Sequence, residues 1–142
     1  MPDSDCIIAA LCDWHEHCQQ ARREIDRRID SREDLILAAP TLLQAYSVLT
    51  RLPRPYQLSA DVAFRLLDAN FMEPAREIIA VDGAGHRLLL QDAVTSSVLG
   101  GQVYDAVIAR CARQGGVDAV LTFNERDFAR LITPPIQVVV PA

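Results

Sequence analysis

Short apolar runs alternate with helix-like segments along the whole chain, and this alternation constrains the fold more than any other feature. Runs of this length between turn residues are typical of strands that are buried on both faces of a parallel sheet. The predicted strands are 6–11, 35–39, 77–81, 118–122 and 136–140. The alternation therefore predicts an α/β fold of three layers, in which helices cover both faces of a mainly parallel five-stranded sheet.

Helix signals fill the intervals between these strands. The predicted helices are 13–28, 40–52, 59–70, 84–98, 103–114 and 124–131. Asp13 and Ser59 are expected to act as N-caps, since a side-chain oxygen at that position accepts a hydrogen bond from the first turn. The residues expected to turn inward are Leu42, Leu43, Tyr46, Leu49 and Leu52 on helix 40–52, with Val62, Leu66 and Leu67 on helix 59–70.

Length and composition bound the class of protein. The chain has 142 residues, of which 50% are hydrophobic and 23% charged, so we expect one folded domain spanning 1–142. Its apolar runs are too short to cross a bilayer and no basic segment precedes the first of them, which predicts a cytoplasmic protein without a membrane partner. Four cysteines without CxxC spacing are expected to stay reduced.

The charge pattern excludes several mechanisms. All 14 basic residues are arginine, and without a lysine the chain has no Walker phosphate loop, no Schiff base and no phosphoacceptor receiver site. Gly83-Ala84-Gly85 lacks the last glycine of the dinucleotide fingerprint. A net charge of −5 argues against binding nucleic acid through bulk positive charge, so any phosphate contact must come from local arginines or bound cations.

Two acids are the best clue to chemistry. Asp3 precedes the first predicted strand, and Asp105 lies near the start of helix 103–114. Taken singly, Asp3 is typical of a solvated terminal residue and Asp105 of an acid favoured by a helix dipole. Ligands of parallel α/β sheets gather outside the carboxyl ends of strands, and a sheet of this kind can bring both acids to one edge. That arrangement indicates a divalent metal.

A second group of metal-ligand types lies just after the first strand. It comprises Cys12, His15, His17 and Cys18, beside Trp14. Thiolates and imidazoles bind zinc, but two histidines that are two positions apart on a helix diverge by about 200°. Trp14 is therefore expected to pack at the helix entry, with the histidines exposed or near a substrate channel.

Four segments together resemble PIN-domain ribonucleases of the VapC toxin type. They occur in the family's order and span nearly the whole chain: DSDCII at 3–8, LQAYSVLTRLP at 43–53, GGQVYDA at 100–106 and LTFNERDF at 121–128. The resemblance implies a PIN-like fold and a Mg²⁺- or Mn²⁺-dependent endoribonuclease. It also implies the toxin component of a type II toxin–antitoxin system, usually a homodimer, that a cognate VapB-like antitoxin neutralises.

The resemblance further implies site residues. The catalytic positions correspond to Asp3, Gln44, Asp105 and Asn124, and Asp3 and Asp105 would hold the metal. Gln44 stands where the family has a glutamate, so a charge is missing there. An alternative therefore stays open: a catalytically impaired PIN domain that binds RNA or an antitoxin without cleavage.

Further residues near these positions are assigned accessory roles. Asp5 and Asp127 are expected to add negative charge, and Thr122 to support the site. Ser4, Arg110 and Arg126 are expected to contact the RNA substrate, because arginine forks suit phosphate. Structural alternatives remain: Asn124 as a helix cap, and a solvated helix face formed by Arg22, Arg23, Arg27 and Arg28.

Overall fold

Seven α-helices and four short β-strands follow one another along the chain. The structure is a computed structural model and describes residues 1–142. In order, the elements are α1 Ser4–Leu11, α2 Cys18–Asp30, β1 Ile36–Ala38, α3 Ala39–Leu49, α4 Ala60–Leu67, a π-helical turn Asp68–Met72, β2 Glu77–Ile79, α5 Gly83–Thr95, α6 Gln102–Gln114, β3 Ala119–Leu121, α7 Glu125–Leu131 and β4 Gln137–Val139. None of the helices combines the length and apolar character that a bilayer crossing requires.

All strand pairing is parallel. β1 pairs with β2, with Ile36 opposite Glu77, and β3 pairs with β4, with Ala119 opposite Gln137. On its other side β3 meets the start of the chain through an isolated parallel bridge between Pro2 and Leu121. Each of the four strands lies within a predicted one, and the α/β fold is confirmed. The sheet consists of two hydrogen-bonded pairs and this bridge, because every strand is only three residues long.

Helices cover both faces of the strands. Neighbouring residues of a strand point to opposite faces, and here they enter two different cores. Leu37 and Leu121 pack into a cluster built largely from α1, α2, α3 and α4. Ala38 and Val120 pack into a second cluster with side chains of α5, α6 and α7. The strands therefore form the middle of three layers, as the sequence predicted.

The prediction of a strand at 6–11 is wrong, since these residues belong to helix α1. Asp3 has extended backbone and its Oδ1 accepts a hydrogen bond from the Cys6 amide at 2.8 Å, which makes it the N-cap. A short apolar run fits a buried helix as well as a buried strand, and the cap decides between them. Only the residues before the helix pair with β3.

The start predicted for the second helix is also wrong. α2 begins at Cys18, with His17 at the N-cap position and no side-chain cap hydrogen bond. Asp13 instead forms a salt bridge with Arg22, at 2.7 Å between Nη2 and Oδ1. Residues 12–17 form a turn-rich connection in which Trp14 is 46% exposed.

Helices α3 and α4 bury a narrower face than expected. On α3 the buried residues are Thr41, Ala45 and Leu49, whereas Leu43 is 75% exposed. On α4, Ser59 caps the helix as predicted, but Val62 is exposed rather than inward-facing. Small residues occupy the contact because α3 packs against three helices at once, namely α1, α4 and α6.

Candidate active site

Asp3 lies at the junction of the first helix and β3. Its carboxylate caps α1, its backbone N–H donates to the Leu121 carbonyl at 2.9 Å, and only 3% of the residue is exposed. The cap accepts through one oxygen, Oδ1. The sequence places a buried, ionisable side chain beside the carboxyl end of a parallel strand, where α/β proteins bind ligands.

Thr122 and Asn124 follow β3 and connect Asp3 to the other side of the site. Thr122 is fully buried, and its hydroxyl oxygen accepts a hydrogen bond from the Asn124 backbone N–H at 2.9 Å. A hydrogen bond from the Thr122 side chain also acts on Asp3 and lowers its pKa against the larger effect of burial. Thr122 is therefore an internal link of the site.

The Asn124 side chain holds two more acids. Its Nδ2 donates to Oδ2 of Asp105 at 3.3 Å and to Oδ2 of Asp127 at 2.9 Å. Asn124 precedes α7 but makes no side-chain cap hydrogen bond, so the capping alternative is wrong. Carboxylates only accept, which requires the amide nitrogen rather than the oxygen to face them. Asp3, Asp105 and Asp127 thus belong to one network through Thr122 and Asn124.

The electrostatics of this network are those of crowded negative charge. Burial raises the pKa of Asp3 to about 6, and the nearby charge of Asp5 acts in the same direction. Burial also raises the pKa of Asp105 to about 6, followed by the charges of Asp127 and Asp5. None of these four acids forms a salt bridge with an arginine or histidine. No salt bridge therefore neutralises the negative charge of these acids.

The donor set fits a hard divalent cation. No three His, Cys, Asp or Glu side chains are arranged to hold a metal by themselves, so a bound ion would have at most two carboxylate ligands from the protein. Mg²⁺ is commonly bound in this way, with one or two carboxylates, water and substrate phosphate as ligands. Asp3 and Asp105 are unpaired with cations and supply oxygen donors of that kind.

Gln44 and Ser4 lie on the helices that frame the network. Gln44 is half-buried on α3, and α3 packs against both α1 and α6, the helices that respectively adjoin Asp3 and carry Asp105. Ser4 is half-buried as the first residue of α1. Asp5, one position further on, is exposed.

A cavity lined by arginines opens beside the acids. It has a volume of about 320 Å³ and shares Asp127 with the acid network. Its charged and polar lining consists of Arg110, Arg113, Arg130, Asp92, Asp127, Gln102, Thr95, Ser96 and Ser97. Arg110 lies 3.7 Å from Asp92, while Arg126 is exposed outside the lining. Three arginines face two aspartates, so the cavity is locally positive in an acidic protein.

The arginines of α2 are used differently. Arg27 and Arg28 both pair with Glu24, at 2.8 and 2.7 Å, and Arg22 pairs with Asp13. These contacts favour the reading of α2 as a solvated, ion-paired helix face.

The four residues considered as zinc ligands differ in exposure: the two cysteines are buried and the two histidines are half-buried. Cys12 and Cys18 are buried free thiols, whereas the His15 ring accepts a hydrogen bond from the His17 backbone N–H at 3.1 Å. Tyr56 lies against Trp14, with ring centroids 4.5 Å apart, and no sequence pattern predicted this contact. The sequence also gave no sign of the hydroxyl groups of the cavity, because their loop has no distinctive pattern.

Comparison with known proteins identifies the class of this fold and site. The PIN domain family model matches residues 1–132, and the chain belongs to the PIN-domain family. Among its relatives is Ribonuclease VapC40 of Mycobacterium tuberculosis (strains CDC 1551 / Oshkosh and ATCC 25618 / H37Rv), 31% identical over 115 residues, which cover 81% of this chain and 79% of that protein. Ribonuclease VapC27 of strain ATCC 25618 / H37Rv is 36% identical over 86 residues, or 59% and 58% of the two chains.

A solved structure supports the same fold. The structure of FitAB bound to an IR36 DNA fragment contains a chain that aligns with a TM-score of 0.68, covering 99% of this chain and 93% of that one. At 18% identity this likeness concerns the fold alone.

Proposed function

We propose that this PIN-domain protein is a Mg²⁺- or Mn²⁺-dependent endoribonuclease and the toxin component of a type II toxin–antitoxin system. The observation that carries the proposal is the network joining Asp3, Thr122, Asn124 and Asp105, in which two acids have raised pKa values and no protein cation as partner. Its curated relatives are named ribonucleases, which supports RNA as the substrate.

Each residue of the network has a separate role in the proposed reaction. Asp3 and Asp105 would hold the cation, while Thr122 and Asn124 fix these carboxylates in place. When bound, the cation would lower the pKa of a water molecule and offset negative charge on the phosphate. Asp5 and Asp127 add negative potential, which strengthens attraction for the cation. Ser4, the first residue of α1, and Gln44, on α3, are the polar residues proposed to complete the site.

Divalent-ion dependence is the direct test. Purified protein incubated with single-stranded RNA and Mg²⁺ or Mn²⁺ should give endonucleolytic fragments, and a chelator should stop cleavage because the acids alone repel the phosphate. Cleavage at the same rate with chelator, or none with either ion, would contradict the proposal.

Substrate phosphates are proposed to bind in the arginine cavity beside Asp127. We expect Arg110→Ala to weaken single-stranded RNA binding about 10- to 150-fold, since a hydrogen bond to a charged group contributes roughly 1.5–3 kcal/mol. The affinity should also depend less steeply on salt, with little change in sequence preference. Fluorescence anisotropy of labelled RNA at several salt concentrations measures both effects.

Arg65→Ala is the matched control for this prediction. Arg65 is an exposed arginine on α4 that pairs with Asp61 at 2.6 Å, away from the cavity lining. Equal losses in both variants would indicate an effect of net charge and would contradict a specific cavity contact. Arg126→Ala tests the second arginine assigned to substrate, which lies outside the cavity.

A catalytically impaired PIN domain is the second candidate, and Gln44 favours it. The Gln44 side chain is an amide and carries no negative charge, and it lies on a helix that packs against α1 and α6. If the missing charge limits catalysis, Gln44→Glu should raise the cleavage rate at least about tenfold through tighter cation binding. Gln44→Ala is the control for side-chain loss. An unchanged rate in Gln44→Glu would show that the amide is tolerated.

The proposed partners are a VapB-like antitoxin and a second copy of the chain. Exposed apolar side chains offer contact surface for both, among them Leu90, Val94 and Leu99 around the end of α5, with 58%, 83% and 74% exposure. The structural relative was solved as FitAB with a DNA fragment, which agrees with a partnered protein. The cytoplasmic location expected from the sequence stays a prediction.

A further inference from the structure

Five aromatic rings form a continuous row that the proposed chemistry does not use. In order they are Phe123, His17, His15, Trp14 and Tyr56. Phe123 and His17 are stacked, with centroids 4.4 Å apart and planes at 18°. The following centroid distances are 5.7, 6.0 and 4.5 Å, with tilted planes. The row therefore joins the connection between α1 and α2 to the loop that carries Tyr56.

One end of the row adjoins the acid network. Phe123 lies in the chain between Thr122 and Asn124, whose hydrogen bond closes the loop after β3. The Phe123 ring is half-buried and packs against the core cluster that contains Leu121, the last residue of β3. The other end is open, because Trp14 is 46% and Tyr56 44% exposed. The rings thus lead from the loop after β3, which carries Thr122 and Asn124, outward to solvent.

Core packing alone does not account for this arrangement. The aromatic side chains that stabilise the two cores, Phe71 and Phe128, are 2% and 0% exposed. Trp14 instead leaves nearly half of its large apolar surface in water, where a ligand can contact it. Its position in a row of rings, instead of a mixed apolar patch, points to a flat aromatic ligand.

We propose that this row is a stacking platform for unpaired bases of single-stranded RNA flanking the cleaved phosphate. The proposal rests on the proposed nuclease function and specifies its substrate as unpaired RNA. Bases released from a helix stack on Phe, Tyr, Trp and His side chains, whereas bases of a duplex stay covered by their neighbours. Two exposed acids lie beside the row: Asp13 pairs with Arg22 at 2.7 Å, and Glu16 lies 3.8 Å from Nε2 of His17.

Trp14 provides a direct reporter because it is the only tryptophan of the chain. Asp105→Asn protein, which should bind without cutting, is titrated with a short single-stranded RNA, the same strand in a duplex, and a strand of equal length with abasic positions. Stacking predicts saturable quenching of Trp14 emission by the first only. Equal quenching by all three, or none by the single strand, would overturn the platform.

Substitution tests the energetic contribution. Trp14→Ala should raise the Kd for single-stranded RNA about 5- to 150-fold, the range found for loss of one base–aromatic stack, while Trp14→Phe keeps most of the affinity. The control is Ile29→Ala, an apolar residue of similar exposure (45%) on α2. Equal Kd values for wild type and Trp14→Ala would overturn the platform, as would equal losses in Trp14→Ala and Ile29→Ala.

Cleavage assays run in parallel separate the two proposals. If wild type cuts RNA with a divalent ion and Trp14→Ala binds and cuts equally well, the platform fails and the nuclease stands. If single-stranded RNA quenches Trp14 but is never cut, the nuclease fails and the platform stands. If RNA is neither bound nor cut, both fail.

Discussion

Asp105→Asn should lower the rate of divalent-ion-dependent RNA cleavage about 10²- to 10³-fold, the size of effect expected when one charge-stabilising group of an active site is lost. Asparagine has nearly the shape of aspartate and still offers an oxygen to the Asn124 amide, which donates to Asp105 at 3.3 Å. The network can therefore persist while the charge is lost. Initial rates on a labelled single-stranded RNA at saturating Mg²⁺ measure the effect.

A stability measurement separates this loss from unfolding. Burial and the charges of Asp127 and Asp5 raise the pKa of Asp105, so removal of its charge should leave the metal-free protein as stable as wild type or more so. Asp26→Asn is the control, an exposed acid on α2. Wild-type cleavage by Asp105→Asn, or the same decrease in Asp26→Asn, would refute the assignment of Asp105.

The four strands and the N-terminus of α4 were predictable because the sequence patterns that define them are local. β1, β2, β3 and β4 are apolar runs between turn residues, and Ser59 caps α4 as a hydroxyl before a helix is expected to. The first helix was missed because periodicity alone cannot assign six apolar residues. The deciding signal is Asp3, whose carboxylate accepts a hydrogen bond from the Cys6 amide. The sequence predicts Asp3 as a metal ligand, and the structure shows that it is also the N-cap of α1.

The residues of the proposed site come from the sequence, but the hydrogen bonds between them do not. Asp3 and Asp105 follow from the four-segment resemblance, yet the sequence does not say that Asn124 bridges Asp105 and Asp127 instead of capping α7. That choice depends on α6 and α7 packing together, a tertiary contact. The neighbourhood of Trp14 and Tyr56 is likewise tertiary, since two loops distant in sequence meet there.

The double position of Asp3, as helix cap and as buried acid, affects the stability of the fold. The residue that caps the first helix is also a buried acid of the site, so folding places a charge where neither water nor a protein cation neutralises it. Functional sites commonly carry such a cost. A bound cation would offset it, which couples cation binding to folding.

Asp3→Asn should therefore stabilise the metal-free protein at neutral pH while abolishing cleavage. Asparagine is an N-cap of equal quality and keeps the acceptor for the Cys6 amide, but it carries no charge. The pKa of Asp3 rises from 3.8 to about 6 on folding, which corresponds to about 3 kcal/mol of unfolding free energy. In thermal unfolding with a chelator, this is an increase in Tm of roughly 6–12 °C.

The effect of Asp3 on the free energy of unfolding changes with pH in a defined direction. Because the folded protein holds the Asp3 proton more tightly, this contribution to stability is complete below pH 3.8 and is lost as the pH rises through about 6. The difference between Asp3→Asn and wild type should thus grow from near zero to its full size across that interval. Comparing the two proteins cancels groups such as Glu24, whose pKa is lowered by hydrogen bonds from Arg27 and whose stabilising effect is lost as pH falls.

Added Mg²⁺ or Mn²⁺ should then reduce the difference at neutral pH, because a cation held by Asp3 neutralises the wild-type site and has less to bind in the variant. Asp3→Ala is the contrasting substitution: it removes charge and cap together, so about 0.5–2 kcal/mol of the gain is lost again. A difference that stays constant from pH 4 to 7, and that the divalent ions leave unchanged, would mean that Asp3 is only a cap and that its charge has no role in the site.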